Sequence, residues 1–252
     1  MKRTIVIGDL HGCLDEALEL LVKCNVTAND RVIFVGDLID RGDDSAGCVD
    51  LAMMCEKLQG SPACVLGNHE ERHIIYNDEE RLNGYVNVTA ATHVATRLQL
   101  KSEHYDYMRS LPTFIRLPEF NAAVVHAGAY PGRRLEEQDP RHLLHVSMLR
   151  NVDGKIGERT EWASRVPTKE FGWHYWSNYW SGPERLIFGH AVLTKPLITP
   201  YAVGIDGGCC FGLNMHAVIL PEWEIVTVKS RKKSIGRDEK PSFAIHGDVR
   251  TY

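Results

Sequence analysis

The chain repeatedly places a glycine-flanked polar cluster directly after a short apolar, β-branched run. These clusters are Gly8–Gly12 (GDLHG), Gly36–Gly42 (GDLIDRG), Gly67–Glu70 (GNHE), His126–Gly128 (HAG) and Gly189–His190 (GH). In α/β sheets, ligands bind in the crevice outside the carboxyl ends of the strands. Polar residues that recur at strand ends therefore predict one shared site.

The first third of the sequence alternates strand and helix patterns. Thr4–Gly8 and Arg31–Gly36 are apolar strand runs, and Ala63–Leu66 is a third, shorter one. Helical periodicity covers Leu14–Lys23 and Ser45–Leu58. This β-α-β-α-β order predicts parallel strands joined by right-handed crossovers, with helices covering the sheet.

The rest of the chain changes pattern twice. Residues 71–110 lack strand runs and carry helical periodicity, which predicts a helical insertion or cap. Strand patterns then return and predict a more antiparallel second sheet, with strands at Thr113–Leu117, Ala122–His126, Arg185–Gly189, Ala202–Asp206, His216–Leu220 and Glu224–Lys229. Since no repeat or linker divides the sequence, residues 1–252 are predicted to form one domain.

Composition limits the classes of protein that this chain can represent. Its 252 residues are 44% hydrophobic and 25% charged, with a net charge of −4, so there is no general attraction to nucleic acid. No apolar run is long enough for a membrane span or a signal peptide, which predicts a cytoplasmic protein without a membrane partner. Seven cysteines without a C-x-x-C pair favour reduced, buried thiols over the alternative of a zinc–thiolate site.

The strand-end clusters carry residue types that bind metal ions. Asp9 and His11 are two positions apart in an extended segment, so both side chains point to the same side. The clusters together offer two Asp, one Asn and three His, namely Asp9, Asp37, Asn68, His11, His126 and His190. This mixture suits Mn, Fe or Zn and suits calcium poorly. A central carboxylate such as Asp37 can bridge two ions.

All five motifs, in this order, resemble those of the calcineurin-like metallophosphoesterases, and the match covers the chain from about residue 4 to residue 220. The resemblance is strongest to the branch that holds the phosphoprotein phosphatases and the symmetrical diadenosine tetraphosphate hydrolases. It implies an α/β fold of the α+β sandwich type, a β-sandwich flanked by helices and built on β-α-β-α-β units. It also implies a hydrolase that cleaves a phosphoester or phosphoanhydride.

The resemblance further implies two divalent metal ions, with manganese expected and iron or zinc as alternatives. One ion is expected on Asp9, His11 and Asp37, and the second on Asp37, Asn68, His126 and His190. A hydroxide that bridges the two ions is expected to attack phosphorus directly, without a phosphoenzyme.

The resemblance assigns roles to four more residues. His69 is expected to protonate the leaving oxygen, and Asp40 to orient its ring and raise its basicity. Arg41 is expected to bind phosphoryl oxygens, because a guanidinium matches two oxygens at once. Arg150 is the candidate for a second phosphate-binding arginine by its position, with an ordinary surface arginine as the alternative.

Substrate class is the least constrained property. Leu66 before the third motif is similar to the tetraphosphate hydrolases, whereas Glu70 and the complete Gly-Asp-x-x-Asp-Arg-Gly motif are similar to serine/threonine protein phosphatases. Ala191 and Gly207 depart from both groups, which often have Thr there. A nucleoside polyphosphate is the expected substrate and a phosphoprotein the alternative.

Two further alternatives concern binding. A non-catalytic binding protein of the same fold is a second alternative to the enzyme, and the complete ligand set argues against it. The aromatic segment Trp173–Trp180 is expected to pack a hydrophobic lid onto the core, with nucleobase stacking as its functional alternative.

Overall fold

The computed structural model describes residues 2–151, 160–163 and 172–232. Six α-helices lie within these ranges: α1 (Leu14–Lys23), α2 (Ser45–Gln59), α3 (Asn68–Asn83), α4 (Ala91–Gln99), α5 (Ser102–Ser110) and α6 (Pro140–His145). Twelve strands accompany them: β1 (Thr4–Ile7), β2 (Arg31–Phe34), β3 (Phe114–Leu117), β4 (Ala122–Val125), β5 (Met148–Asn151), β6 (Thr160–Ala163), β7 (Trp173–Tyr175), β8 (Arg185–Phe188), β9 (Leu197–Ile198), β10 (Ala202–Gly204), β11 (Asn214–Leu220) and β12 (Glu224–Lys229).

The strands form two larger sheets and one small one. The first sheet has the order β12-β11-β1-β2, and the second has the order β3-β4-β8-β10-β9. β1 and β2 are parallel and are joined through α1, as the sequence predicts. β5, β6 and β7 form the small antiparallel sheet, which the sequence patterns did not predict.

Alternating side chains of the strands build cores on both faces of each larger sheet. Val6 of β1 joins a buried cluster with Val124 of β4 and Ile187 of β8, so this cluster holds the two sheets together. Ile5 and Ile7, one position to either side, instead pack in the cluster that includes α1 and α2. The two-residue period of a strand produces this division. The expected sandwich flanked by helices is therefore the observed α/β architecture.

Three expectations about the elements were wrong in detail. Ala63–Leu66 is not a regular strand: Cys64 forms a single parallel bridge with Phe34, and the Leu66 N–H already donates to Pro112. The chain leaves the edge of β2 there because α3 begins at Asn68, so the Asn-His-Glu motif forms the first turn of a helix. The second sheet is mixed, since β4, β8 and β10 are mutually parallel. The last two predicted strands, observed as β11 and β12, belong to the first sheet, because β11 pairs with β1.

Helices fill the predicted insertion. α3 runs past residue 71, and α4 and α5 complete the segment up to residue 110. α5 packs against both α3 and α2, and α4 packs against α2. Within the described residues, no helix combines the length and apolarity needed to cross a membrane.

Candidate metal centre

Asp9 and His11 follow β1 and are buried at its carboxyl end. The His11 Nδ1–H donates to the Ile39 carbonyl oxygen at 2.8 Å, so the lone pair lies on Nε2. His11 Nε2 is 3.4 Å from Asp37 Oδ2. The Asp9 carboxylate accepts the backbone N–H of His190, with N···O distances of 3.2 and 3.0 Å. The end of β1 is thereby joined to the segment that follows β8.

Asp37 occupies the middle of the site. Its Oδ2 faces His11, and its Oδ1 lies 3.5 Å from His126 Nε2. Two groups of potential ligands share this carboxylate, and within each group the ligand atoms lie within 4.8 Å of one another: His11, Asp37 and His69, and Asp37, His126 and His190. One carboxylate with an oxygen in each group has the geometry of a bridging ligand.

Asn68 completes the second group. Its Oδ1 is 3.0 Å from His126 Nε2 and 2.9 Å from His190 Nδ1, so the ligand atoms of three side chains converge on one point. The His126 Nδ1–H donates to the Val35 carbonyl oxygen at 2.8 Å, which orients its Nε2 towards the centre. The buried His190 Nε2 has no hydrogen-bond partner among the residues that the structure describes.

Close backbone approach explains why the residue before His190 is a glycine. A Cβ on Gly189 would lie 1.9 Å from Asp9 Oδ1, so only glycine lets the chain after β8 reach the Asp9 carboxylate.

The protonation states of Asp37 and of the three histidines suit a divalent cation. Burial lowers the pKa of His11 and His126, and it lowers the pKa of His190 to about 3, so all three imidazoles are neutral at pH 7. Burial raises the pKa of Asp37, but the surrounding histidines lower it by a larger amount. The net effect is a lowered pKa, so this carboxylate is ionised. Neutral imidazole and ionised carboxylate are the forms that bind metal. The donor set therefore fits divalent metal ions.

His69 and Asp40 lie beside the first ligand group. The His69 Nδ1 is 2.5 Å from Asp40 Oδ2, and its Nε2 is 3.9 Å from Asp37 Oδ2. The Arg41 guanidinium lies over the same space, with Nη2 at 3.1 Å from His69 Nε2 and Nη1 in contact with His11 Nε2. The Arg41 guanidinium carbon lies over the ring of Phe211, 5.2 Å from the ring centroid. The predicted acid, its partner and the phosphate-binding arginine thus lie together.

Arg150 takes part in contacts within the small sheet. It belongs to β5, where its Nε donates to Glu161 at 2.9 Å and its guanidinium lies 5.0 Å from the Trp173 ring centroid. Its role in phosphate binding stays a prediction.

Two tryptophans of the aromatic segment Trp173–Trp180 pack inside the protein. Trp176 is fully buried against Phe188, and its indole N–H donates to the Ala127 carbonyl oxygen at 3.0 Å. Trp180 is buried beside it and contacts it edge to face. The hydrophobic role of these two tryptophans is therefore confirmed.

Sequence analysis missed the residues that support the site from outside the ligand set. The sequence indicates Glu70 only as a marker of substrate class, yet its buried carboxylate accepts backbone N–H groups from residues 37–39 and from Gly67. His73 and His93 also lie near Asp40. The spacing of one helical turn between His69 and His73 is a sequence signal that His73 lies near the site. No nearby pattern in the sequence marks His93.

Comparison with known proteins gives the same family. The sequence model of the calcineurin-like phosphoesterases matches residues 2–193, a range that contains all five motifs. A bis(5'-nucleosyl)-tetraphosphatase of the asymmetrical type from Oceanobacillus iheyensis is 27% identical over 247 residues, covering 91% of this chain and 93% of its own. A symmetrical one from Coxiella burnetii is 24% identical over 278 residues, covering 90% and 91%. A crystal structure assigned to the diadenosine tetraphosphatases superposes with a TM-score of 0.73 at 28% identity, covering 91% of this chain and 94% of that one.

Proposed function

The chain belongs to the calcineurin-like phosphoesterase family and is a hydrolase, and on this basis we propose that it cleaves nucleoside polyphosphates as a bis(5'-nucleosyl)-tetraphosphatase. The two ligand groups that share Asp37 are the observation that carries the proposal. The names of its relatives point to the substrate class, because both the asymmetrical and the symmetrical tetraphosphatases align over about nine-tenths of the chain.

We assign the ligands of two divalent ions to the buried side chains at the strand ends. Asp9, His11 and Asp37 would hold one ion, and Asp37, Asn68, His126 and His190 the other. The convergence of His126 Nε2 and His190 Nδ1 on Asn68 Oδ1, together with the two oxygens of Asp37, supports this assignment. When bound, such an ion pair supplies an activated water as nucleophile and neutralises phosphoryl charge.

Arg41 and His69 would act on the substrate. Both present nitrogen atoms to the space beside Asp37, where a phosphoryl group would lie. The Arg41 guanidinium would bind two phosphoryl oxygens, and a protonated His69 would donate its Nε2 proton to the leaving oxygen. Asp40 accepts from Nδ1 of the same ring, which turns Nε2 towards the leaving oxygen.

A serine/threonine protein phosphatase is the second candidate. Glu70 in the third motif favours it, because the tetraphosphate hydrolases that the sequence resembles usually carry Asp there. The same metal site and the same acid would serve a phosphoserine or phosphothreonine ester.

Product analysis tests the proposal and separates the candidates. Metal-stripped protein is reloaded with Mn²⁺, then with Fe²⁺ or Zn²⁺ in parallel, and incubated with diadenosine tetraphosphate or with a phosphothreonine peptide. Products are separated by anion exchange: AMP with ATP indicates asymmetrical cleavage, and ADP alone indicates symmetrical cleavage. Faster turnover of the peptide would favour the protein phosphatase.

Two variants complete the design. Asp37→Asn should abolish turnover, because it removes the shared carboxylate, whereas His174→Asn on the exposed side of β7 should leave it unchanged. Wild-type protein that binds metal but turns over neither substrate would refute the proposal.

A further inference from the structure

The carboxylate of Asp40 is surrounded by three imidazoles. His69 Nδ1 lies 2.5 Å from its Oδ2, and His73 Nε2 lies 2.8 Å from its Oδ1. His93 Nε2 approaches Oδ2 to 3.5 Å. Asp40 itself is fully buried. The proposed acid His69 is therefore one member of a four-residue cluster, and two of its members belong to none of the five motifs.

His73 is the more tightly held of these two additional histidines. It lies one helical turn after His69 on α3 and is fully buried. Its Nδ1 has no hydrogen-bond partner within the described part of the chain, so Nε2 carries the proton and donates it to Asp40. The carboxylate thus accepts a separate imidazole N–H on each of its oxygens.

His93 closes the cluster from the predicted cap. It is carried by α4, and its ring contacts those of His69 and His73 edge to face, at centroid distances of 6.0 and 5.5 Å. The Tyr76 hydroxyl lies 3.4 Å from its Nδ1, which directs Nε2 towards Asp40. The side chain is only 14% exposed, so α4 shields the carboxylate from water.

These contacts fix the plane of the Asp40 carboxylate. The backbone N–H of Asp40 also donates to the Ser45 hydroxyl at 3.0 Å. Burial raises the pKa of Asp40, but the hydrogen bonds from His69 and His73 outweigh it, so the pKa lies well below its usual range. An ionised carboxylate held at both oxygens has one orientation, and the ring of His69 follows it.

We infer that His73 is a positioning residue for the Asp40–His69 pair and that His93 of α4 covers the pair against water. His73 holds Oδ1, so that Oδ2 keeps the His69 ring turned with its Nε2 towards the leaving oxygen. This inference rests on the acid role proposed above for His69. It also gives the helical segment 71–110 a function at the site.

The leaving group provides the test, because a positioned acid matters only when the leaving oxygen needs a proton. p-Nitrophenolate departs readily without protonation, whereas phenolate is a much stronger base. The two aryl phosphates have similar shapes, so a general loss of structure would affect both alike. The kcat for phenyl phosphate and for p-nitrophenyl phosphate is measured with Mn²⁺-loaded protein for each variant.

His73→Leu should lower kcat on phenyl phosphate by about tenfold or more, a fraction of the 10²–10⁴ range typical of a general acid. On p-nitrophenyl phosphate the change should stay within about threefold, since little acid catalysis is needed there. His73→Gln should recover most of the lost kcat, because its amide nitrogen can replace the Nε2 donor. His93→Phe should also lower kcat on phenyl phosphate, but by less than His73→Leu does. His104→Gln is the matched control: His104 is a buried histidine of α5 that pairs with Asp50, and this variant should change neither rate.

The outcomes separate this inference from the proposed function. His69→Ala is measured alongside and should lose kcat selectively on phenyl phosphate. If it does, but His73→Leu loses kcat equally on both substrates or on neither, the positioning role is overturned and the acid role stands. A His69→Ala protein that loses both substrates equally would overturn the acid role and the positioning role together. Should His73→Leu fail to fold, His73→Asn, whose shorter amide does not reach Asp40, replaces it in the comparison with His73→Gln.

Discussion

Glu70→Gln tests whether one buried carboxylate holds the metal-binding loops together. The Glu70 side chain is fully buried, and its Oε1 accepts the backbone N–H groups of Leu38 and Ile39 at 2.9 and 3.3 Å. Its Oε2 accepts those of Asp37 and Gly67 at 2.9 and 3.1 Å. Glutamine keeps one of these oxygens and replaces the other with an NH₂ group, which cannot accept. Two of the four N–H groups therefore lose their acceptor.

The expected cost follows from those two groups. A buried donor without a partner costs about 1–3 kcal/mol, so two cost about 2–6 kcal/mol. Burial and the neighbouring Asp37 raise the pKa of Glu70, so its charge is itself unfavourable there, and the neutral amide recovers part of the loss. We therefore expect the free energy of unfolding to fall by about 2–3 kcal/mol, which lowers Tm by about 2–4 °C for each kcal/mol in a chain of this size.

Urea unfolding at pH 7, followed by tryptophan fluorescence and extrapolated to zero urea, measures this loss. Glu16→Gln is the matched control, because Glu16 is also buried but accepts one short bond, from the Arg231 backbone N–H at 2.8 Å, which a glutamine oxygen can keep. Its stability should change by less than about 1 kcal/mol. A Glu70→Gln protein as stable as the wild type would show that these four hydrogen bonds do not hold the loops.

Substitutions at three further positions address the core, the pH response and the backbone. Trp176→Ala should cost about 3–5 kcal/mol of unfolding free energy in the same urea assay, because it empties a fully buried site against Phe188; unchanged stability with weaker nucleotide binding would instead indicate base stacking. Burial lowers the pKa of His216 to about 4, so only the unfolded chain binds its proton between about pH 6.5 and 4. Stability should therefore decline as pH falls through that window, and His216→Gln should reduce the decline in urea midpoint between pH 7 and pH 5; equal declines would refute this cause. Arg41 has a φ of 67°, a backbone conformation that strains alanine but not glycine. Arg41→Gly should therefore be about 1 kcal/mol more stable than Arg41→Ala, while both lose phosphate affinity equally. Equal urea midpoints for the two variants would contradict the strain.

Local patterns predicted the elements whose stability is local. The helix predicted at Leu14–Lys23 is observed with the same bounds, because its apolar spacing and its turn signals lie within one segment. The strand at Thr4–Gly8 was placed to within one residue for a similar reason. The ligand positions followed from these strands, since parallel neighbours end at the same edge of a sheet.

Elements that depend on distant partners were not predictable in the same way. Ala63–Leu66 has a strand composition, yet it forms only the bridge at Cys64 because α3 starts directly afterwards. β5 and β7 are far apart in the sequence, yet they pair directly with each other. His93 likewise reaches Asp40 through the packing of α4, and no spacing in the sequence encodes that contact.

Backbone conformation gives a second reason why the motifs use these residue types. His11, Asp37, Asp40 and His190 all have positive φ values, of 45°, 50°, 72° and 63°. Such conformations cost about 1–3 kcal/mol for most side chains, and Asn, Asp and His adopt them several times more often than other non-glycine residues. Glycine would relieve the strain but supply no ligand, whereas glutamate or cysteine could bind a metal but would tolerate this backbone poorly. Aspartate and histidine meet both requirements, so the turns after the strands and the chemistry at their ends select the same two residue types.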